Sequence, residues 1–351
     1  MASRTFSRRQ GRSTYLNGTT CRQQCPPLHS VPAKRKFDEQ IAALDALRQI
    51  PEESRIEPLR KALSNRNNFV VAKAADLARE SRLEQLAPDL LGAFDRFFEN
   101  AEKTDPQCWA KNALSRALAA FEYQAPEAFL RGMGHIQMEP VWGGRSDTAG
   151  TLRATCALAL VQCRSLTESD LLSHLVDLFA DNDKTVRIEV LRAVAQMSSP
   201  SAALLLRARA VLGKDEPEVL GACYSGVLSI EGIGAIPWVG QFLQTADGSA
   251  GEAALAISGT HSVEAFECLK QHLLEAKDPW WRSTLLSAIA LCRQEAALEF
   301  LLEQVQSESL QADGAIEAIL RSGPSTDIVQ RLEKIVSTNS RLARVFNEHR
   351  P

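Results

Sequence analysis

Few residues in this 351-residue chain are spaced for covalent chemistry. The six histidines (His29, His135, His174, His261, His272 and His349) are scattered, with no His-x3-His and no His-Glu pair. There is no phosphate-binding loop, no Gly-x-Ser-x-Gly elbow and no Cys–His pair adjacent in sequence. Of the eight cysteines, Cys21 and Cys25 form a C-x3-C with only His29 nearby, a poor zinc set without a second pair. Cys108, Cys156, Cys163, Cys223, Cys268 and Cys292 fall in expected helices beside apolar neighbours. They read as small buried residues of a reducing compartment such as the cytoplasm. No metal, cofactor or catalytic residue is expected.

What the spacing does offer is recognition chemistry. Residues 131–147 read RGMGHIQMEPVWGGRSD. Trp142 offers a flat contact surface, His135 and Arg145 offer polar contacts, and Gly143-Gly144 allows a sharp turn. Met133, Ile136, Met138 and Val141 make this loop too apolar for a simple connector. Trp142 and Met138 could instead seal a gap between structural units. We expect a mixed arrangement, with Ile136 and Val141 packed inward and Trp142 and Arg145 at a rim. A second candidate is Trp280-Trp281-Arg282. Adjacent helical residues point about 100° apart, so at most one of the two indoles packs fully, leaving the other to core edges or to a partner.

A third pattern is ionic. Lys73, Lys111, Arg153, Arg187 and Arg282 recur in the first turn of alternate expected helices, with Leu220, Glu252 and Ala312 in the degenerate copies. The intervals are 38, 42, 34, 33, 32, 30 and 30 residues. Asn67, Asp105, Asp147 and Asp181 each lie six residues before the first four basic positions. Lys111, Arg153 and Arg187 thus each follow an aspartate (Asp105, Asp147 and Asp181) by the same interval, which supports the alignment of the units.

The elements that must hold these residues are helices. In the stretch 167–197, Thr167 and Asp170 mark a capped start, and Leu171, Leu172, Leu175, Val176, Leu178 and Phe179 form one apolar stripe. Asp181-Asn182-Asp183 breaks the helix. Val186, Val190, Ala193, Val194 and Met197 then recur at helical spacing, with Ile188, Leu191 and Ala195 on a second face. A helix apolar on two sides needs neighbours on two sides, as in a stacked repeat. Similar pairs run from about Phe37 to the C-terminus, with an interruption or kink expected at Pro88 and a break near 337–340, and no strand pattern competes.

These repeats resemble HEAT repeats, and the shorter C-terminal units resemble the HEAT-like type named from phycobilin lyases. The resemblance covers about 37–351. It implies an all-α, right-handed α-α superhelix, an armadillo/HEAT-like solenoid of about eight helix pairs. In that family a turn Asp and a basic residue six later form a ladder between units. The resemblance therefore implies a structural ladder of Asp105, Lys111, Asp147, Arg153, Asp181 and Arg187, fading toward the C-terminus, with each contact contributing about 1 kcal/mol or less if exposed. The family's metal hydroxylases carry repeated His-Glu pairs, which this chain lacks.

Composition bounds the partner. The chain carries −3 overall, yet residues 1–36 hold eight Arg or Lys and no acid, leaving −11 on 37–351. An acidic body disfavours a nucleic-acid binder. Residues 1–36 read as a disordered basic tail, a composition that also fits an organelle transit peptide. No apolar run is expected to reach the roughly 18 residues of a membrane span. The expected function is a non-enzymatic scaffold binding a protein or peptide on a concave face. Two alternatives are a HEAT-like DNA repair glycosylase, for which Asp278, Trp280, Trp281 and Arg282 invite comparison, and a bilin-lyase-like chaperone or regulator of a modifying enzyme.

Overall fold

The computed structural model describes residues 32–350. The expected tail up to residue 31, with Cys21, Cys25 and His29, lies outside the described residues. The first helix, α1, spans Pro32–Ala46 and starts five residues before Phe37, with proline at its first position, where the missing amide has no helical partner to lose. Next come α2 (Glu52–Leu63), α3 (Asn68–Glu80) and α4 (Ala87–Arg96). The interruption expected at Pro88 is present: a 3-10 turn at Glu84–Leu86 gives way to α4, and Pro88 sits in the first turn of α4, where no hydrogen bond is lost.

A short α5 (Ala101–Thr104) leads to α6 (Trp109–Ala120) and α7 (Pro126–Met133). The fold is all-α as expected, with one local addition here that no strand pattern announced. Residues 138–147 form a hairpin of β1 (Met138–Val141) and β2 (Gly144–Asp147), paired antiparallel with Met138 opposite Asp147 and Val141 opposite Gly144. The two-residue connection Trp142-Gly143 forces a positive φ of 91° at Gly143, which glycine accepts without cost. These are the only strands among the described residues.

The chain continues through α8 (Gly150–Leu160), α9 (Glu168–Val176), α10 (Lys184–Gln196), α11 (Pro200–Leu212), α12 (Pro217–Glu231), α13 (Ile236–Gly240) and α14 (Gly248–Ser258). It ends with α15 (Val263–Glu275), α16 (Pro279–Leu291), α17 (Glu295–Gln306), α18 (Ala312–Arg321), α19 (Thr326–Val336) and α20 (Ser340–His349), the last two separated at the expected break. The Thr167/Asp170 start is a full capping box.

Packing follows sequence order. α3, α6, α8, α10, α12, α14, α16, α18 and α20 each contact the next in that series. The preceding helix of each pair packs on its own partner, as α7 on α8, α11 on α12 and α17 on α18. A helix in the first series is thus enclosed on several sides, which explains its Ala- and Leu-rich faces. It also explains Pro217–Thr245, one stretch long and apolar enough to cross a membrane by length and composition. That corrects the expectation that no such run exists. Its apolar character belongs to α12, which packs against α10, α11 and α14, and the helix breaks at Gly232.

Many of these helices end in a left-handed residue that is not glycine, including Arg82, Glu122, Ser198, Arg293 and Glu308. An L side chain in that conformation costs roughly 1 kcal/mol. Arg293→Gly and Glu308→Gly, both at exposed positions, should each raise stability by about 0.5–1 kcal/mol in urea denaturation. Lower stability in both would show that these turns carry no strain.

Candidate functional site

The hairpin stands on buried charge. Asp105 and Lys111 are both completely buried and lie 3.1 Å apart. Asp105 accepts from the amides of Ala110 at 2.8 Å and Lys111 at 3.0 Å, and so caps α6. It also accepts from Asn68 Nδ2 at 3.1 Å, which links α3 to α6. Lys111 Nζ donates to the Phe97 carbonyl at 3.2 Å and lies over the Phe98 ring.

The next rung is Arg153, buried on α8. Its Nη1 donates to Asp147 Oδ2 at 2.6 Å and to the His135 carbonyl at 2.9 Å. Its Nε and Nη2 grip Asp181 at 2.7 and 3.0 Å in a bidentate fork. Arg187 repeats the arrangement one unit later: Nη1 donates to the Asp181 carbonyl at 2.6 Å, and Nε and Nη2 reach Asp215 at 3.2 and 2.9 Å. Arg209 closes the series on Asp215. The contacts are therefore largely buried, so the small energy expected for an exposed ladder does not apply to them. Lys73 lies apart from this series and pairs backward with Asp45 at 2.7 Å.

Between the two rungs the hairpin turns polar residues inward. Gln137 and Glu139 are buried, whereas Ile136 is 67% exposed and Val141 is 48% exposed. The expected inward packing of Ile136 and Val141 is wrong. The surface beneath is a helix start with free donors, and polar side chains satisfy it. Glu139 accepts from the Gln107 amide at 2.7 Å, and Gln137 Nε2 donates to the Asp105 carbonyl at 2.9 Å. The Gln137 amide donates to Asp147 at 2.9 Å. Gln107 and Cys108 both sit in the left-handed region, a strained pair of residues at the start of α6 that this network holds in place.

His135 is taken up by this framework. Its ring packs edge-on against Phe98 at 4.9 Å and Nε2 meets Gln137 Oε1 at 3.0 Å, so it is not free for a partner. Arg145 is exposed but paired with Glu102 at 3.2 Å, and also donates to the Met138 carbonyl. Trp142 is fully exposed at the hairpin tip, so it does not seal a gap. Beside it, an open cleft of about 720 Å³ lies between the hairpin and the start of α10, lined by Ile136, Met138, Leu178, Asp147 and Arg153.

The second candidate separates into two roles. Trp281 is 5% exposed and packs largely in the core, whereas Trp280 is 52% exposed. Asp278 caps α16 through the Trp281 amide at 2.9 Å. The hairpin tip and Trp280 lie on different units.

The titrating groups speak against thiol chemistry. Burial pushes the Cys108 thiol up to about 11 and those of Cys223 and Cys292 up to about 12. No cluster of three potential metal ligands occurs among the described residues. Burial alone would raise the Asp147 carboxyl, but the amides of Gln137 and Ala149 and the Arg153 guanidinium outweigh it and hold it below the ordinary range. The same balance, with Glu216 and Arg187 as partners, lowers Asp215. Burial lowers the His135 imidazole against the opposing bond to Gln137.

Sequence reasoning missed Asn68, Gln137, Glu139, Asp215 and Arg209. Asp215 had a signal: it lies 34 residues after Asp181, as Asp181 does after Asp147. Gln137 and Glu139 had none, because an apolar loop sequence gives no reason to bury its polar residues. No protein-family model matches the chain, and no curated protein gives a significant match.

Two outcomes are expected. Arg153→Met leaves Asp147 and Asp181 without their cation and should cost about 3–5 kcal/mol in denaturant unfolding, well above an exposed pair. A loss of about 0.5 kcal/mol or less would contradict the buried ladder. The second concerns pH. The folded value of His135 lies below its unfolded value of about 6.5, so stability present above that value is lost as pH falls through it. The lowered Asp147 and Asp215 contribute stability present above their unfolded values and lost as pH falls through their depressed ones. Urea midpoints should therefore decline between about pH 7.5 and 5.5, less so in His135→Gln, with a further decline in acid. A flat profile above about pH 5.5 would contradict the His135 environment.

Proposed function

We propose that this chain is a HEAT-like, right-handed α-α superhelix of about eight helix pairs that acts as a non-enzymatic scaffold for a protein or peptide partner. The consecutive packing of α3, α6, α8 and their successors supports the architecture, since a superhelix is what sequential pair-on-pair contact builds. Pairing of each ladder Arg with the acid of the following unit supports it further.

The observation that carries the function is the hairpin. A rigid, buried polar base presents a tip whose largest residue, Trp142, is fully exposed, with the half-exposed Val141 next to it. Soluble surfaces rarely hold such groups together without a use for them. An aromatic on a preorganised turn is an efficient interface anchor, because little conformational freedom remains to be lost on binding. The ionic residues, by contrast, are occupied with one another.

No observation favours the glycosylase-like alternative: Asp278 serves as a helix cap and Trp281 lies largely in the core. A lyase-like or regulatory role gains no specific observation.

Trp142→Ala should weaken binding of the native partner, isolated by affinity capture, about thirtyfold, corresponding to roughly 2 kcal/mol. Unfolding free energy should change by less than about 0.5 kcal/mol. Normal binding by a destabilised Trp142→Ala protein would make the hairpin a structural plug.

A further inference from the structure

Glu252 occupies the position on α14 that carries Lys111, Arg153 and Arg187 in earlier units, so the sign of the charge is reversed there. Its carboxylate leans across Gly221 of α12: a methyl group on Gly221 would sit 2.6 Å from Glu252 Oε2. No hydrogen bond or ion pair engages Glu252 among the described residues. The charge that acts on it comes from another acid, Glu218, which is itself paired with Lys184 at 2.9 Å. Burial first, and the Glu218 charge second, push the Glu252 carboxyl above its ordinary value. The body thus holds a half-buried carboxylate that nothing in the fold neutralises.

The opposite wall is aromatic. Trp280, half-exposed on α16, reaches toward Gly251, the residue beside Glu252: a methyl there would lie 4.0 Å from Trp280 Cη2. Trp280 is backed by the buried Trp281, with ring centroids 6.2 Å apart, and its carbonyl is tied by the Thr284 hydroxyl at 3.0 Å. The indole thus meets α14 at Gly251, the residue before Glu252, and Glu252 itself fills the space over Gly221.

We propose that Glu252, Glu218 and Trp280 form a subsite for a lysine or arginine side chain of a basic peptide segment. A cation there gains a charge-assisted hydrogen bond from Glu252 and the face of an indole, and relieves the repulsion between the two acids. The charge of −11 on residues 37–351 favours approach of such a segment from solution. This rests on the scaffold reading and adds the chemistry of the partner to it, at a place remote from the hairpin in sequence.

The probe is hexa-arginine amide, titrated calorimetrically into the full chain at about 0.15 M salt, where weak surface attraction is screened. Saturable binding is expected, weakened about fivefold or more by Glu252→Gln and by Trp280→Ala. Glu348→Gln, at an exposed acid on α20, should bind as the parent does, and hexa-glutamate should not bind. Trp280 also rests on Trp281, so Glu252→Gln decides alone if Trp280→Ala does not fold. Equal affinity in parent and Glu252→Gln, or no binding at millimolar peptide, overturns the subsite. Either result leaves the hairpin reading standing, because Trp142→Ala tests that surface without touching these residues.

Discussion

The structure depends on charge that has been taken out of water and therefore has to be paired. Arg153 is the clearest case: one guanidinium, almost wholly buried, holds Asp147 of its own unit and Asp181 of the next. Apolar stripes bring helices together but tolerate sliding, because dispersion and hydrophobic burial are non-directional. A bidentate fork is directional, and a buried ion without its partner is costly. Adjacent units are thus fixed relative to each other at the same edge, unit after unit.

Those contacts join into one polar spine. It runs from Asn68 through Asp105 and Lys111, crosses by Gln137 to Asp147 and Arg153, and continues through Asp181 and Arg187 to Asp215 and Arg209. The hairpin is the crossing piece. Its insertion lengthens one repeat interval to 42 residues, and its inward polar residues carry the spine over that gap. The outward residues are then free of structural duty, which is why the same short segment combines a rigid base with an exposed tryptophan. At α14 the spine has ended, and Glu252 has no cation of its own.

Much of this was legible in the sequence. Amphipathic period, caps and the six-residue acid-to-base spacing located the helices and most ladder residues, because both are local patterns. The misses have physical reasons. Ile136 and Val141 were expected inside by apolar character alone. What decided their placement was the chemistry underneath, the capped start of α6, which is distant information until the fold exists. Trp280 and Trp281 were indistinguishable in type, and only the neighbours of α16 bury one and expose the other. Asn68 acts across units, and Arg209 precedes its acid instead of following it, so neither fits the acid-to-base spacing.

The central claim is that the spine couples neighbouring units rather than decorating them. Hydrogen exchange read by mass spectrometry on the parent and on Arg153→Met tests this directly. Asp147 receives the amides of Gln137 and Ala149, and Asp181 receives the amide of Asp183. If Arg153 couples the units, protection should fall together over the hairpin base near 137–149 and over the start of α10, under conditions where both proteins remain folded. Loss confined to α8, with the hairpin and α10 exchanging as in the parent, would contradict the account.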